Sequence, residues 1–284
     1  MSYTFSNLAQ QLYFDLGQVS PLGLFSATGG STTTFINTAW GSLENPPEED
    51  FAKSYLAIVV RDAGGASAAP ESEYSLVSAY AEGSQTGTIG TLTAAVASGD
   101  KLMLAAQDKF PIESVLFAVN RALQELGDVP LVDTSLTGVS GQTEYTLPEA
   151  LTRTPPLAIF YQTAASTDEL PVPVYDWKYS PPTIGSTGKI YMEVPADKTI
   201  IIWYRGVHPN LTAYNSEVAQ SIHPEIALLA TKIRLYEWWN SQEGAEGDSL
   251  SVWKESTQWP NQLAMKMAEH PFWSPPDYKP FSRR

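Results

Sequence analysis

The chain has 284 residues, 43% hydrophobic, 11% aromatic and 17% charged, with a formal net charge of −14 and no cysteine. That composition supports a sizeable core, and it excludes a globally disordered polymer, a disulfide scaffold, thiolate nucleophiles and cysteine-ligated metals. The acidic balance removes the usual electrostatic route to nucleic-acid phosphates.

The charge is uneven. Residues 1–110 carry 4 basic and 11 acidic side chains, residues 111–250 carry 8 and 17, and residues 251–284 carry 5 and 3. An acidic body therefore ends in a mildly basic tail. No apolar run reaches the roughly 18 residues of a bilayer span. The start, Met1-Ser2-Tyr3-Thr4-Phe5, lacks the basic-then-apolar pattern of a signal peptide. The expectation is a soluble protein made in a cytoplasm.

The first helix is expected over residues 5–16, where Phe5, Leu8, Ala9, Leu12 and Leu16 share one face, with Thr4 as N-cap and Gly17 as stop. Residues 24–108 then change period. Short β-rich runs at 32–37, 55–61, 74–80, 86–93 and 101–105 are separated by Gly, Pro, Ser and acidic clusters, the pattern of a small sandwich or barrel. A second helix is expected from Ile112, with Pro111 at its first turn. Its stripe is Val115, Leu116, Val119, Ala122, Leu123 and Leu126, and Gly127 and Pro130 end it.

A second β block covers about residues 143–206, with runs at 144–147, 157–162, 172–179, 189–194 and 199–205. The continuous apolar stretch Thr199–Tyr204 predicts a strand covered on both faces. A third helix is expected from about His223-Pro224. Ile222, Ile226, Leu229, Ile233 and Tyr236 form one stripe, and Ala227, Leu228, Leu235, Trp238 and Trp239 a second. A helix apolar on two sides is buried on two sides. Leu235, Trp238 and Trp239 are therefore candidates for contact with a neighbouring subunit.

The last 33 residues interleave Trp253, Trp259, Phe272, Trp273, Tyr278 and Phe281 with five prolines, and end in Arg283 and Arg284. One helical piece, about 261–269, is expected there. Prolines prevent a long regular element, while the aromatics need apolar cover. Two readings stand: a tail wrapped over its own domain, or an arm docked on another chain.

No motif carries chemistry. Gly185-Ser186-Thr187-Gly188-Lys189 lacks the first glycine and the hydroxyl residue of a phosphate loop, and reads as a hairpin turn. Gly138-Val139-Ser140-Gly141 is one residue short of a nucleophile elbow, and Ser251-x-x-Lys254 stands without companion motifs. Glu48-Glu49-Asp50 lacks the alternating pattern of a calcium loop. Asn210-Leu211-Thr212 matches a glycosylation sequon without a secretory route. His208, His223 and His270 show no ligand spacing. The expectation is no enzyme, no cofactor and no metal.

Several short segments together resemble the head-to-tail connector proteins of tailed bacteriophages, of the adaptor or neck type. They are Tyr3–Leu8, Phe110-Pro111-Ile112 with Ala118–Leu123, Glu144–Pro148 with Trp177-Lys178-Tyr179, and Ile222-His223-Pro224-Glu225. The similarity is scattered over most of residues 1–240. The resemblance implies an α+β virion protein: a small helical bundle with two β-rich, sandwich- or barrel-like insertions and an extended C-terminal arm. It would be a homo-oligomeric ring of about a dozen subunits at the head-tail junction, passing DNA without sequence-specific contact.

On that layout, residues 1–20, 110–130 and 211–248 hold the bundle helices, 21–109 and 131–210 the β blocks, and 249–284 the arm. The portal protein would receive the arm through Trp253, Trp259, Phe272, Trp273, Tyr278, Phe281, Arg283 and Arg284. Nozzle or fibre proteins would lie on the tail side, and no membrane is involved. The chain is larger than the simplest adaptors, which leaves open a tail nozzle or a fibre-anchoring, carbohydrate-binding tail protein. A hydrolase with spatially assembled carboxylates is a further alternative, one that a deep acidic cleft would favour.

Overall fold

The first helix begins where the sequence supplies a reciprocal cap. Thr4 is extended, its hydroxyl accepts the Asn7 N–H, and the Asn7 side chain accepts the Thr4 N–H. α1 spans Phe5–Asp15, and Gly17 follows it at φ +65°, a left-handed conformation that costs glycine little. Phe5, Leu8, Ala9, Leu12 and Tyr13 are buried, as the helical stripe requires.

The computed structural model describes residues 3–43, 47–48, 54–65, 68–151, 155–163, 170–184, 186–243 and 256–272. Among these the fold is α+β, with four α-helices and three antiparallel sheets. No helix among the described residues is long and apolar enough to cross a membrane. The chain divides into two compact units. The first comprises Met1–Ala122, Asn210–Val218 and Pro224–Met265; the second comprises Leu123–Pro209, Ala219–His223 and Lys266–Arg284.

In the first unit, seven strands follow α1: β1 (Val19–Ser26), β2 (Gly29–Ser31), β3 (Thr34–Ile36), β4 (Tyr55–Arg61), β5 (Tyr74–Ala81), β6 (Thr86–Ile89) and β7 (Lys101–Ala106). They form one sheet in the order β1-β7-β4-β5-β6-β3-β2. The sheet curls on itself: Phe25, on one edge strand, lies 5.7 Å from Phe35, which is next to the other edge. Trp40 closes the gap, 4.7 Å from Phe25 and 6.0 Å from Phe35. Val59, Val77, Tyr80, Ile89, Leu102 and Leu104 complete this core. Gly87 lies opposite Phe35, where a Cβ would fall 2.2 Å from the ring, so a side chain there would displace the core.

β1 and β2 are strands that sequence pattern does not reveal. β1 contains Pro21 and a register shift between Val19 and Leu24, with Gly23 at φ +62°. A proline donates no ladder bond, and β1 tolerates one because it lies at the sheet edge.

α2 spans Ile112–Glu125, and Ile112, Val115, Ala118, Val119, Ala122 and Leu123 are buried along its stripe. Asn120 projects beside it and brackets one buried residue. Its Nδ2 donates to the Leu211 carbonyl at 2.9 Å, and its Oδ1 accepts the Leu211 N–H at 2.7 Å. α3 spans Pro224–Glu243 and α4 spans Trp259–Glu269. α3 packs on α1, where Lys232 pairs with Asp15 at 2.6 Å.

The second unit has two sheets. One contains β8 (Val129–Thr137), β10 (Ala158–Thr163), β11 (Val172–Pro173) and β14 (Lys198–Gly206), in the order β11-β10-β14-β8. The other contains β9 (Glu144–Thr146), β12 (Lys178–Ser180) and β13 (Lys189–Tyr191), in the order β12-β13-β9. Pro130 sits in β8, again an edge strand. The single strand expected over 172–179 is two short ones in different sheets, joined by a linker. β12 and β13 pair antiparallel as a hairpin, and Gly185 between them lies outside the described residues. β14 corrects the expectation of cover on both faces. Ile200, Ile202 and Tyr204 are buried while Ile201 and Trp203 are half-buried, the alternation of a sheet with one core face.

Replacing Asn120 by Ala leaves the buried Leu211 N–H and C=O without their partners, at about 1–3 kcal/mol for each group left unsatisfied. The expected result is a lower urea midpoint with an unchanged m-value. A midpoint equal to wild type would show that water replaces the bracket at no cost.

Candidate functional site

Three of the residues expected to bind partners, Leu235, Trp239 and Trp259, are core. Leu235 is 1% exposed and Trp239 6%. Trp239 packs against Phe110 at 6.2 Å and Tyr236 at 5.7 Å, with the Lys109 ammonium 5.3 Å from its ring centroid. Its indole N–H finds no acceptor among the described residues. Trp238 is half-buried. Trp259, expected in the arm, is 7% exposed and meets Tyr236 edge-on at 5.5 Å. The two-sided apolarity of α3 is thus met inside the chain for Leu235 and Trp239, and neither remains free for a neighbour. α3 takes cover on one side from α1 and on another from the segment that starts α4.

Phe272 is half-buried. Trp253, Trp273, Tyr278, Phe281, Arg283 and Arg284 lie outside the described residues, as do Glu49 and Asp50 of the acidic loop.

Two aromatic side chains that the stripe analysis passed over are strongly exposed. Phe14, on α1, is 73% exposed, and Phe117, on α2, is 66% exposed. Each sits on the polar face of an otherwise well-patterned helix. That misplacement was visible in the sequence as an apolar residue out of phase with its own stripe. Large apolar side chains on such faces mark contact surfaces when several lie on one body.

Behind them, the α1 side of the first unit is rigidly tied. The Tyr13 hydroxyl donates to the Phe110 carbonyl at 2.8 Å and accepts from Gln107 Nε2 at 3.1 Å. Burial pushes its phenol well above the ordinary range, partly offset by the Gln107 bond, so it stays protonated and structural.

The second unit carries two adjoining hollows of about 550 and 590 Å³. They share Thr143, Tyr161 and Glu193. Tyr175, Asp176 and Tyr191 line one, and Gln142 and Pro195 line the other. Tyr161 comes from β10, Tyr191 from β13 and Tyr175 from the β11–β12 linker, so the hollow opens where the two sheets of this unit meet. Beside it, Lys189 bonds Glu144 and holds its carboxyl below the usual range, with the Tyr191 hydroxyl also contributing.

The histidines divide into two roles. His208 is buried, with Nδ1 2.6 Å from the Pro209 carbonyl and Nε2 accepting the Ala219 N–H at 3.0 Å. That pairing fixes the neutral Nδ1–H tautomer. Burial lowers its pKa below 6.5, with the Pro209 bond opposing. His223 and His270, remote in sequence, stack at 3.9 Å with ring planes 5° apart. Their ring nitrogens approach within 4.8 Å, a convergence that their spacing along the chain does not show. Two imidazoles provide half the ligands of a tetrahedral metal site.

Comparison of the chain with protein-family models, with curated proteins and with solved structures yields no match.

His208 makes the second unit acid-sensitive. Its folded pKa is depressed, so the unfolded chain takes up the proton first; the stabilisation is complete above pH 6.5 and is lost as pH falls below it. The melting temperature should fall on going from about pH 7.5 to about pH 5, and His208→Gln, though less stable at neutral pH, should show a flatter slope. Identical slopes would remove His208 from the acid response.

Proposed function

We propose that this protein is a structural component of a tailed-phage virion, forming a ring at the head-tail junction between portal and tail. The observation that carries the reading is the pair of exposed phenylalanines, Phe14 and Phe117, on helices that also hold the segments resembling connector proteins. A closed ring uses heterologous contacts, so each subunit needs two different sticky faces. One phenylalanine on α1 and another on α2 meet that need.

The element order supports the same reading. Helix, β block, helix, β block and helix follow one another along the chain. In this reading α1, α2 and α3 make the bundle and the two β blocks are insertions into its connections. With Trp259 in the core, the docking arm contracts to the residues after Phe272, where Trp273, Tyr278 and Phe281 stand beside Arg283 and Arg284. Aromatic anchors with flanking arginines are the composition of binding hot spots. The net acidity of the body suits a passage that does not grip DNA. The subunits would be made in the host cytoplasm and end in the virion.

Two measurements test this. The double variant Phe14→Glu, Phe117→Glu changes only exposed positions, so its stability should stay within about 0.5 kcal/mol per site of wild type. It should nevertheless fail to enter rings on portal particles seen by electron microscopy. Rings of normal occupancy would sink the interface assignment. Deleting residues 273–284 should leave the melting temperature unchanged and abolish co-purification with the portal protein, whereas Trp259→Ala should cost about 3–5 kcal/mol of stability. Portal binding by the truncated chain would remove the arm.

A further inference from the structure

We infer that the hollow between the two sheets of the second unit binds an uncharged oligosaccharide of pyranose sugars. Three tyrosines from three separate chain segments converge on it: Tyr161, Tyr175 and Tyr191. Tyr175 and Tyr191 are 50% and 40% exposed, so their rings present faces to solvent instead of filling the core. Aromatic faces take the C–H faces of a sugar ring, an apolar surface on an otherwise polar molecule.

The polar groups around the rings complete the argument. Asp176 and Glu193 are acceptor-only carboxylates, suited to paired hydroxyl donors, and Gln142 and Thr143 add neutral polar groups. Among the described residues, no Lys or Arg lines either hollow. Two carboxylates without a cation repel phosphate, sulfate and nucleic acid, which leaves neutral or cationic ligands. A cage for a single ammonium group closes tightly around it. Here two open, adjoining hollows share one wall, a shape that fits several linked rings better than one compact cation.

The walls are pre-formed. The Val174 N–H donates to the Ile159 carbonyl at 2.8 Å and pins the β11–β12 linker to β10. The Met192 N–H donates to the Thr143 carbonyl at 3.0 Å and pins the approach to β9 onto β13. Met192 is itself buried under the hollow. Tyr191 is set by its strand, where it pairs with Glu144 across β13 and β9. A site that needs no ordering on binding loses little affinity to entropy.

The inference stands on these residues alone and is independent of the ring reading. The test titrates the full chain with cellohexaose, maltohexaose and chitohexaose by calorimetry, with a trimethyl-lysine peptide as a cationic probe. At least one hexasaccharide should bind saturably. Tyr175→Ala and Tyr191→Ala should each weaken that binding about tenfold, a loss of about 1.4 kcal/mol, while melting as wild type does. Glu193→Gln should weaken it without changing its salt dependence. Overturning results are no saturable heat with any of the three, unchanged binding in both tyrosine variants, or binding of the cationic peptide in place of the sugars.

Discussion

The first unit depends on a short returning strip of chain, Asn210–Val218. Two distant parts of the sequence fasten to it. The Phe5 N–H donates to the Ser216 carbonyl at 2.9 Å, the Ser6 N–H to the Tyr214 carbonyl at 3.0 Å, and the Val218 N–H to the Tyr3 carbonyl at 2.8 Å. Asn120 brackets Leu211 from α2. Buried backbone groups that belong to no helix or sheet need such partners, because each one left alone costs about as much as a lost bond. The strip lets helices separated by whole β structures behave as one body, since it closes the chain back onto the start of α1 and the middle of α2. Leu211 and Val218, both buried, add apolar cover at the two ends of the strip.

The helices were legible because their signals are local. A capping residue, a stop glycine and a 3.6-residue stripe lie within one window, and each bears on the same dozen residues. The expected 5–16, 112–126 and 224–241 became Phe5–Asp15, Ile112–Glu125 and Pro224–Glu243. Short apolar runs bounded by turn residues, such as Tyr55–Arg61, were equally plain. Those that were missed are edge strands: β1 and β8 carry Pro21 and Pro130, and β2 holds only three residues. Proline argues against a strand until the sheet order is known, and sheet order is a tertiary fact. β14 misled in the opposite direction, since an unbroken apolar run does not say how much cover each face receives.

The candidate sites were less legible for a related reason. Tyr161, Tyr175 and Tyr191 have no common spacing, and only the meeting of two sheets with a linker gathers them. His223 and His270 stack although nothing in the sequence joins them. Phe14 and Phe117 were visible in principle, each one step out of phase with its helix, yet a stripe analysis records residues that fit and passes over those that do not.

Hydrophobic excess was the main physical ground for expecting a partner, and the structure redistributes it. Leu235, Trp239 and Trp259, counted as surface seeking a neighbour, are buried in their own chain, Trp239 against Phe110 and Tyr236 and Trp259 against Tyr236. Apolar area already removed from water contributes nothing further to association. Among the described residues, the apolar surface that remains exposed is differently placed, and Phe14 and Phe117, on two helices, are its most exposed aromatics. A subunit of this kind is stable before assembly because its largest rings are internal. On the proposed ring reading it would associate through a few exposed anchors in place of a broad greasy face. That division would let the proposed ring component stay dispersed at high concentration until a partner offers pockets for those anchors, since isolated phenylalanines on an acidic surface give little non-specific attraction between free copies.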